Sequence, residues 1–258
     1  MNEYEAGIIR TENRGNNTYL LDCACEPIAR EVVPGQFVQI RVGEGTDPFL
    51  RRTFSVCGAL PAEGIIRLMI EVKALGTGML CTLKRGETMN IIGPLGKGFD
   101  TSPGKAGMCL LVAGGVGAAP LLFLAKTLVS ENRQVVFMMG ARNAAGIRML
   151  DGLVPGGAEF LTATEDGSIG REGMLDTLLE DYIVTKQWAI TYTCGPSAMM
   201  RAVSQAARRA DIHCQVSFEE RMACGLGACY GCAVRLRGGA MARTCVDGPV
   251  FDADEVFS

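Results

Sequence analysis

Hydrophobic and polar residues alternate in two different ways along this chain of 258 residues. In the N-terminal part, short apolar and β-branched runs are separated by Gly, Pro, Asn and Asp, a pattern typical of strands joined by turns. The predicted strands are Tyr4–Ile9, Thr18–Asp22, Phe37–Val42, Thr53–Cys57, Ile66–Val72 and Met89–Ile92, with one helical turn near Thr77–Leu83. This pattern favours a small antiparallel β-barrel, which leaves no strand edge exposed, although periodicity alone does not separate a barrel from a sandwich.

From Met108 onward the pattern changes to strands alternating with helices, which indicates a parallel sheet covered on both faces. The predicted strands are Met108–Ala113, Gln134–Gly140, Glu159–Ala163, Ala189–Thr193 and Ile212–Ser217, and the predicted helices follow Pro120 and span Gly173–Tyr182 and Ser197–Arg209. Pro103, Gly104 and Lys105 interrupt both patterns. We therefore expect a barrel domain at 1–102, an α/β domain at 103–217 and a C-terminal segment at 218–258.

Composition and charge exclude several classes of protein. The formal net charge of −3 and the isoelectric point near 5.4 provide no basic field for nucleic acid. Eleven cysteines without a signal peptide indicate a reducing compartment, and we expect the cytoplasm. Met108–Ala125 runs eighteen residues without a charge, but glycines and Pro120 divide it into a strand, a turn and a helix start, so we expect no membrane span.

Four cysteines near the C terminus have a spacing with a chemical meaning of its own. Four residues separate Cys224 from Cys229, two separate Cys229 from Cys232, and twelve precede Cys245. This is the plant-type spacing of a [2Fe-2S] cluster, with three thiolates from one loop and the fourth from a distant turn. The glycines between them allow the loop to curl around an inorganic core.

Other uses of these four cysteines are weaker but remain open. A structural zinc ion is one, although zinc ribbons usually pair one CxxC with a second, and here the far end offers a single cysteine. Disulfide pairing is another, and it would require export. A Rieske cluster is excluded, because it needs two histidines and the chain contains only His213.

Two segments of the first domain suit a flavin nucleotide. Arg51-Arg52-Thr53-Phe54-Ser55 places two cations beside an aromatic ring and a hydroxyl. A guanidinium is a planar fork for phosphate, the ring can lie near a flavin, and the serine can hydrogen-bond its edge. Gly76-Thr77-Gly78 opens a helical turn whose unpaired N–H groups can face a pyrophosphate. Alone, each segment also fits a plainer interpretation, a solvated arginine pair and an ordinary helix start.

Two predicted strand ends of the second domain suit a dinucleotide, since ligands bind beyond the carboxyl ends of parallel strands. Gly114-Gly115-Val116-Gly117 lets a pyrophosphate reach a helix N-terminus, although the spacing is not that of Rossmann dehydrogenases. Cys194-Gly195-Pro196 turns into a helix that can face the nicotinamide side. Each also fits a plain strand-to-helix turn. Asp166, in an acidic turn, is a further NAD candidate, and Arg142 leaves NADP open.

Together these segments resemble the ferredoxin-NADP reductase superfamily, which joins a flavin-binding barrel to a nicotinamide-nucleotide-binding α/β domain. Arg52-Thr53-Phe54-Ser55 matches its Arg-x-aromatic-Ser motif, and Gly76-Thr77-Gly78 looks like its flavin pyrophosphate turn. The two glycine turns of the second domain look like its nucleotide site. The resemblance implies Arg52, Thr53, Phe54, Ser55, Gly76, Thr77 and Gly78 as FAD-binding residues, and Gly115, Gly117, Gly195 and Pro196 as NAD-binding residues.

A closer resemblance lies around the cysteines. Glu219-Glu220-Arg221-Met222-Ala223-Cys224-Gly225, Gly227-Ala228-Cys229-Tyr230, Gly93-Pro94-Leu95-Gly96 and Cys245-Val246-Asp247-Gly248-Pro249-Val250-Phe251 are similar to segments of the electron-transfer subunits of class 1B dihydroorotate dehydrogenases. Thr53 stands where that family often has proline, which changes turn rigidity but should not abolish flavin binding. Related subunits of NADH-dependent ferredoxin-NADP reductases and sulfide dehydrogenases share the architecture and are the alternative.

The closer resemblance implies a role in pyrimidine biosynthesis with FAD, NAD and a [2Fe-2S] cluster. Electrons from the FMN of a catalytic, dihydroorotate-oxidising partner subunit would pass through the cluster and FAD and leave as hydride to NAD+. The implied assembly is a heterotetramer with two copies of each chain. The chain alone would oxidise NADH with artificial acceptors. A hypothesis from another class, a zinc-containing nucleotide-sensing module, predicts a colourless protein.

Overall fold

The computed structural model describes residues 2–43, 45, 47–103 and 107–257. Gly104 and Lys105, on which the predicted domain boundary partly rests, lie outside the described residues. The exact division at 102 and 217 stays a prediction.

Six antiparallel strands close into a barrel. They are β1 (Glu3–Gly15), β2 (Thr18–Ala24), β3 (Phe37–Ile40), β4 (Arg52–Leu60), β5 (Ile65–Glu71) and β6 (Thr88–Leu95). The strands pair in the order β1-β2-β5-β4-β3-β6, and β6 pairs again with β1. The tertiary pairing therefore decides for a barrel over a sandwich, the point that periodicity leaves open.

Two short helices accompany the barrel, α1 (Glu26–Glu31) and α2 (Leu75–Cys81). The second corresponds to the predicted helical turn. The first is not predicted, because six residues are too few to show a helical period. Its buried residues, Ile28 and Ala29, pack into the barrel core.

The second region is a sheet with helices on both faces, as the alternating pattern predicts. Its parallel strands are β7 (Met108–Gly114), β8 (Gln134–Ala141), β9 (Ala158–Thr164), β10 (Arg171–Glu172), β11 (Trp188–Cys194) and β12 (Cys214–Ser217). Its helices are α3 (Ala118–Ser130), α4 (Ala144–Arg148), α5 (Leu175–Ile183) and α6 (Ser197–Arg209). Strands β7 and β11, which carry the two glycine turns, are neighbours in the order β10-β9-β8-β7-β11-β12. Within the described ranges, no helix is long and apolar enough to cross a membrane.

Helix α3 joins the two regions. Barrel residues Leu20, Cys57 and Met69 belong to the same buried cluster as Leu121 and Leu122 of this helix. The barrel therefore rests on the start of the helix that follows the first glycine turn, which brings the predicted flavin and nucleotide segments to one side of the molecule.

The C-terminal segment is shared between both regions. It contains a hairpin, β13 (Ala233–Arg235) and β14 (Met241–Arg243), then β15 (Val250–Asp252) and α7 (Ala253–Val256). Strand β15 pairs antiparallel with β12 and so becomes the edge of the large sheet, a role that three residues do not reveal in the sequence. The loops on either side of the hairpin pack on the barrel, where Cys232 and Cys245 share a small core with Phe37 and Leu95.

Candidate cofactor sites

The four spaced cysteines come together beside the barrel. The loop after β12 carries Cys224, Cys229 and Cys232, and Cys245 follows β14. They are grouped in twos: Cys229 N donates to the Cys224 Sγ over 3.5 Å, and Cys232 and Cys245 belong to one small buried cluster. The first pair is the more accessible, whereas Cys232 and Cys245 are only 3% and 1% exposed.

Backbone N–H groups of the loop are directed at these sulfurs. Leu226 N and Cys229 N donate to the Cys224 Sγ over 3.4 and 3.5 Å, and Gly227 N donates to the Cys245 Sγ over 3.2 Å. Such donors stabilise a thiolate, and the one from Leu226 contributes most in lowering the pKa of Cys224 to about 6. Burial instead raises the pKa of Cys245 to about 11. The loop thus favours the thiolate form of Cys224, one of the four predicted cluster ligands.

The four thiols suit a two-iron cluster by their number and placement, with three on the loop after β12 and the fourth after β14. Two neighbouring thiol pairs are the donor set that a [2Fe-2S] cluster requires, one pair for each iron.

Side chains that the sequence analysis did not single out brace the loop. Arg243 donates from Nη1 to Gly227 O over 3.0 Å and from Nε to the Asp247 carboxylate over 3.0 Å. The Thr244 hydroxyl donates to Cys232 O over 2.9 Å. The sequence offers a weak signal for Thr244, which precedes a ligand, and none for the arginine, whose contact with Gly227 depends on the fold of the loop.

The remaining cysteines behave as small apolar residues. All seven are buried free thiols, as is usual for cysteines outside a metal or catalytic site: Cys23, Cys25, Cys57, Cys81, Cys109, Cys194 and Cys214.

A cleft of about 440 Å³ lies between the barrel, the start of α3 and the C-terminal segment. From the barrel side it is lined by Phe37, Arg52, Thr53, Phe54, Ser55, Met69, Glu71, Lys73 and Thr77. From the other side it is lined by Val116, Ala119, Phe218, Glu219, Glu220, Arg221, Met222 and Pro249. Its volume falls within the range of about 300–1,000 Å³ common for cofactor pockets. The predicted flavin motif therefore faces both the first glycine turn and the lead-in to the cysteine loop.

The two segments predicted to bind flavin meet at Arg52. A Cβ added to Gly76 would lie 2.9 Å from the Arg52 Nε, so the guanidinium rests on the backbone at the start of α2. The Thr77 hydroxyl accepts from Lys73 N and Ala74 N over 2.9 and 3.1 Å and thereby closes its own turn. Gly78 lies one residue further along the same helix.

The neighbouring arginine has a different environment. Arg51 pairs with Glu3 at 2.5 Å and donates to the Asn90 Oδ1 over 2.6 Å. The Arg52 guanidinium donates a hydrogen bond from Nη1 to the backbone carbonyl Leu50 O and pairs with no carboxylate among the described residues. Only the second arginine of the pair lines the cleft. The structure thus separates a structural arginine from one whose charge is available to an anionic ligand.

The two glycine turns predicted to bind NAD pack directly on each other. A Cβ on Gly117 would lie 2.6 Å from Cys194 O, and one on Gly195 would lie 2.9 Å from Gly114 N. Pro196 contacts the same backbone, since its Cδ would lie 2.8 Å from a Cβ on Gly114. Glycine is therefore required for close approach of two strand ends. By contrast, Gly115 faces open space with φ of +56°.

Asp166 lies in the turn after β9, which is two strands away from β7 and its glycine turn in the sheet. Its Oδ1 accepts from Ser168 N over 3.0 Å and from the Ser168 hydroxyl over 2.5 Å, and these bonds lower the pKa of the carboxyl. Asp166 N donates to Arg142 O over 3.2 Å, so the acidic NAD candidate and the arginine that leaves NADP open are in direct contact. The structure does not bring them against the glycine turns, and their role stays a prediction.

Glu219 is a cleft residue that the sequence pointed to only through its family motif. Desolvation by the surrounding cleft residues raises the pKa of its carboxyl and the Lys73 ammonium opposes the shift, although the residue itself is exposed to solvent.

Comparison with known proteins agrees with this geometry. Residues 219–257 match the iron-sulfur cluster binding domain of dihydroorotate dehydrogenase B, and residues 111–205 match the oxidoreductase NAD-binding domain. The dihydroorotate dehydrogenase B (NAD(+)) electron transfer subunit of Desulforamulus reducens is 39% identical over 256 residues, which cover 98% of this chain and 97% of that one. The corresponding subunit of Caldanaerobacter subterraneus is 39% identical over 227 residues, 87% of each chain.

Solved structures share the fold of this chain. A structure of an NADH-dependent reduced ferredoxin-NADP oxidoreductase, studied for flavin-based electron bifurcation, superposes with a TM-score of 0.88 and 29% identity over 97% of this chain and 89% of that chain. A ferredoxin NADP+ reductase from Neisseria gonorrhoeae with bound FAD and NADP gives a TM-score of 0.66 at 18% identity over 81% and 91%, and so shares the fold. The chain therefore belongs to the family of dihydroorotate dehydrogenase B (NAD(+)) electron transfer subunits.

Proposed function

We propose that this chain is the electron-transfer subunit of a dihydroorotate dehydrogenase B in pyrimidine biosynthesis. It takes electrons from an FMN-containing catalytic partner and delivers them to NAD+. The observation that carries this proposal is the single cleft that touches the predicted flavin strand, the first glycine turn and the cluster segment. A catalytic partner follows from the family, and we propose an assembly with two copies of each chain. The eleven free thiols support a reducing compartment such as the cytoplasm.

Different residues of the chain would bind the cluster, FAD and NAD. Cys224, Cys229, Cys232 and Cys245 would hold the [2Fe-2S] cluster, and Arg52 with the start of α2 would hold FAD phosphate. A flavin supplies exchange of single electrons with a cluster and of hydride with nicotinamide, which is the conversion that these two sites require. Gly117 and Gly195 allow the two turns to pack on each other, and the N-terminus of α3, which follows Gly117, would face the NAD pyrophosphate. Phe218 and Met222 line the same cleft with apolar side chains.

Anaerobic purification followed by absorption spectroscopy tests the proposal. We expect flavin bands with broad iron-sulfur absorbance, bleached by NADH, and NAD+-dependent dihydroorotate oxidation only after addition of the FMN subunit. A colourless protein would exclude the redox function and favour the zinc-containing module.

A second candidate is the corresponding subunit of an NADH-dependent ferredoxin-NADP oxidoreductase, which the TM-score of 0.88 favours. A coloured, NADH-responsive protein that never supports dihydroorotate oxidation, but reduces ferredoxin with its own partner, would select this candidate.

Arg52→Ala should lower FAD occupancy and leave iron content unchanged. A charge-assisted hydrogen bond to phosphate contributes about 1.5–3 kcal/mol, so we expect FAD affinity to fall roughly tenfold or more. The measurement is the flavin-to-protein ratio after gel filtration, with iron determined on the same sample. Arg51→Ala is the matched control, since that side chain is held by Glu3 and Asn90 outside the cleft. Equal flavin loss in both variants would remove the specific role of Arg52.

Leu226→Asp should weaken binding of the catalytic subunit. Leu226 and Tyr230 are 51% and 58% exposed on the cysteine loop, beside the accessible thiol pair, where a donor has to come close. An interface anchor of this kind contributes about 2 kcal/mol, or roughly thirtyfold in Kd. Titration calorimetry with the partner measures the effect. Val184→Asp, at a position 77% exposed at the end of α5, is the control, and an intact complex with Leu226→Asp would place the interface elsewhere.

A further inference from the structure

Strand β3 carries a buried glutamine between the flavin strand and the cysteine loop. Gln39 is 1% exposed, and it is paired in register with Thr53 on β4 and with Ile92 on β6. Its neighbours Val38 and Ile40 point into the barrel core, so Gln39 projects from the outer face. It is buried there because the C-terminal segment covers that face.

The nitrogen and the oxygen of the Gln39 carboxamide differ in their hydrogen bonding. Nε2 donates to the Thr53 hydroxyl over 3.4 Å, a long hydrogen bond. The buried Oε1 has no hydrogen-bond partner in the described part of the chain. A buried acceptor without a partner lowers stability, so an apolar side chain of the same size would serve the core better. Packing alone therefore does not account for a glutamine at this position.

The same carboxamide lies flat against the cysteine loop. A Cβ built on Gly225 would lie 2.5 Å from the Gln39 Oε1, 2.7 Å from its Cδ and 3.0 Å from its Nε2. Gly225 directly follows the ligand Cys224 and has φ of +67°. One side chain thus spans from the residue next to a cluster ligand to Thr53, which belongs to the predicted flavin motif and lines the cleft.

We propose that Gln39 is a positioning residue for one-electron exchange between the cluster and the flavin. Its carboxamide fixes the distance between the loop at Cys224 and strand β4. The covalently bonded atoms of the side chain occupy the space between them. Electron tunnelling weakens steeply with distance and more steeply across empty space than through bonded atoms. A single electron moves from the reduced centre to the oxidised one, and no atom is transferred. Thr53 supplies the hydroxyl that orients the amide.

The proposal rests on the function proposed above and is tested with Gln39→Leu on the purified chain reconstituted with FAD and cluster. NADH is mixed rapidly with the protein, and flavin and cluster absorbance are followed separately. We expect flavin reduction at the wild-type rate, wild-type iron content and cluster reduction slowed roughly tenfold, the order of loss that a small misplacement causes. We also expect the electron paramagnetic resonance spectrum of the dithionite-reduced cluster to change, because a fixed dipole beside the loop is removed.

Gln215→Leu is the matched control. Gln215 is 3% exposed on β12, but both ends of its amide are satisfied by the Asp100 backbone, at 3.0 and 3.2 Å. We expect this variant to lower the melting temperature and to leave cluster reduction and the resonance spectrum unchanged. Gln39→Leu should keep or raise the melting temperature, because it removes the unpaired acceptor.

Wild-type cluster reduction and an unchanged resonance spectrum in Gln39→Leu would overturn the proposal. If Gln39→Leu loses iron, the same comparison is made with Gln39→Met. Iron loss in both variants would show that Gln39 serves to retain the cluster, and this result would also overturn the proposal. A wild-type chain without flavin or cluster would instead contradict the proposed function, so the two failures are distinguishable.

Discussion

Cys245→Ala should produce a flavoprotein without its iron-sulfur cluster. Cys245 is 1% exposed in the small core with Phe37, where no water or other side chain can replace its sulfur easily. Loss of one of four ligands should reduce iron content to less than about a tenth of wild type, since metal-binding free energy depends on the complete donor set. FAD should remain, because the Arg52 region does not contact this ligand.

Iron analysis and the absorption spectrum measure the loss of the cluster. Two activity assays separate NADH oxidation from electron transfer with the FMN subunit. NADH oxidation with an artificial acceptor should persist, whereas dihydroorotate oxidation with the FMN subunit should be abolished. Cys214→Ala is the control, because that thiol is buried in the sheet core away from the loop. Full iron content in Cys245→Ala would contradict the ligand assignment.

Gly117→Ala should strongly weaken NAD binding. The new Cβ would lie 2.6 Å from Cys194 O and 2.7 Å from Gly195 N, both backbone atoms that cannot move without separating the two turns. Overpacking of this kind costs roughly 1–3 kcal/mol of folding free energy. Because the same displacement misaligns both turns, we expect NADH affinity to fall by about a hundredfold.

Stopped-flow flavin reduction at increasing NADH concentration measures the change, with thermal unfolding followed in parallel. Gly156→Ala is the matched control, since that glycine has open space around its Cα and no left-handed backbone angle. Unaltered NADH binding by Gly117→Ala would show that the dinucleotide lies away from the paired turns.

Local signals accounted for much of the fold. The turn-rich pattern predicted each of the six barrel strands, and alternation predicted the parallel sheet, because burial of one or both faces leaves a periodic trace. Elements without such a trace were missed, namely α1, α4, α7 and strands β10, β13, β14 and β15. These elements have two to six residues each, and they are held by tertiary contacts rather than by their own periodicity.

The sequence by itself predicted the chemistry of this protein. Cysteine spacing favoured a [2Fe-2S] cluster, since a ligand set from one loop and one distant turn needs those intervals, and the motifs around Arg52 and Gly117 predicted nucleotide sites. Only the tertiary structure decided how these sites meet. It separated Arg51 from Arg52 through the contacts of Arg51 with Glu3 and Asn90, and it brought Gln39 against Gly225 from almost two hundred residues away. Contacts of that range depend on strand pairing and on which face the last segment covers, and neither leaves a local pattern in the chain.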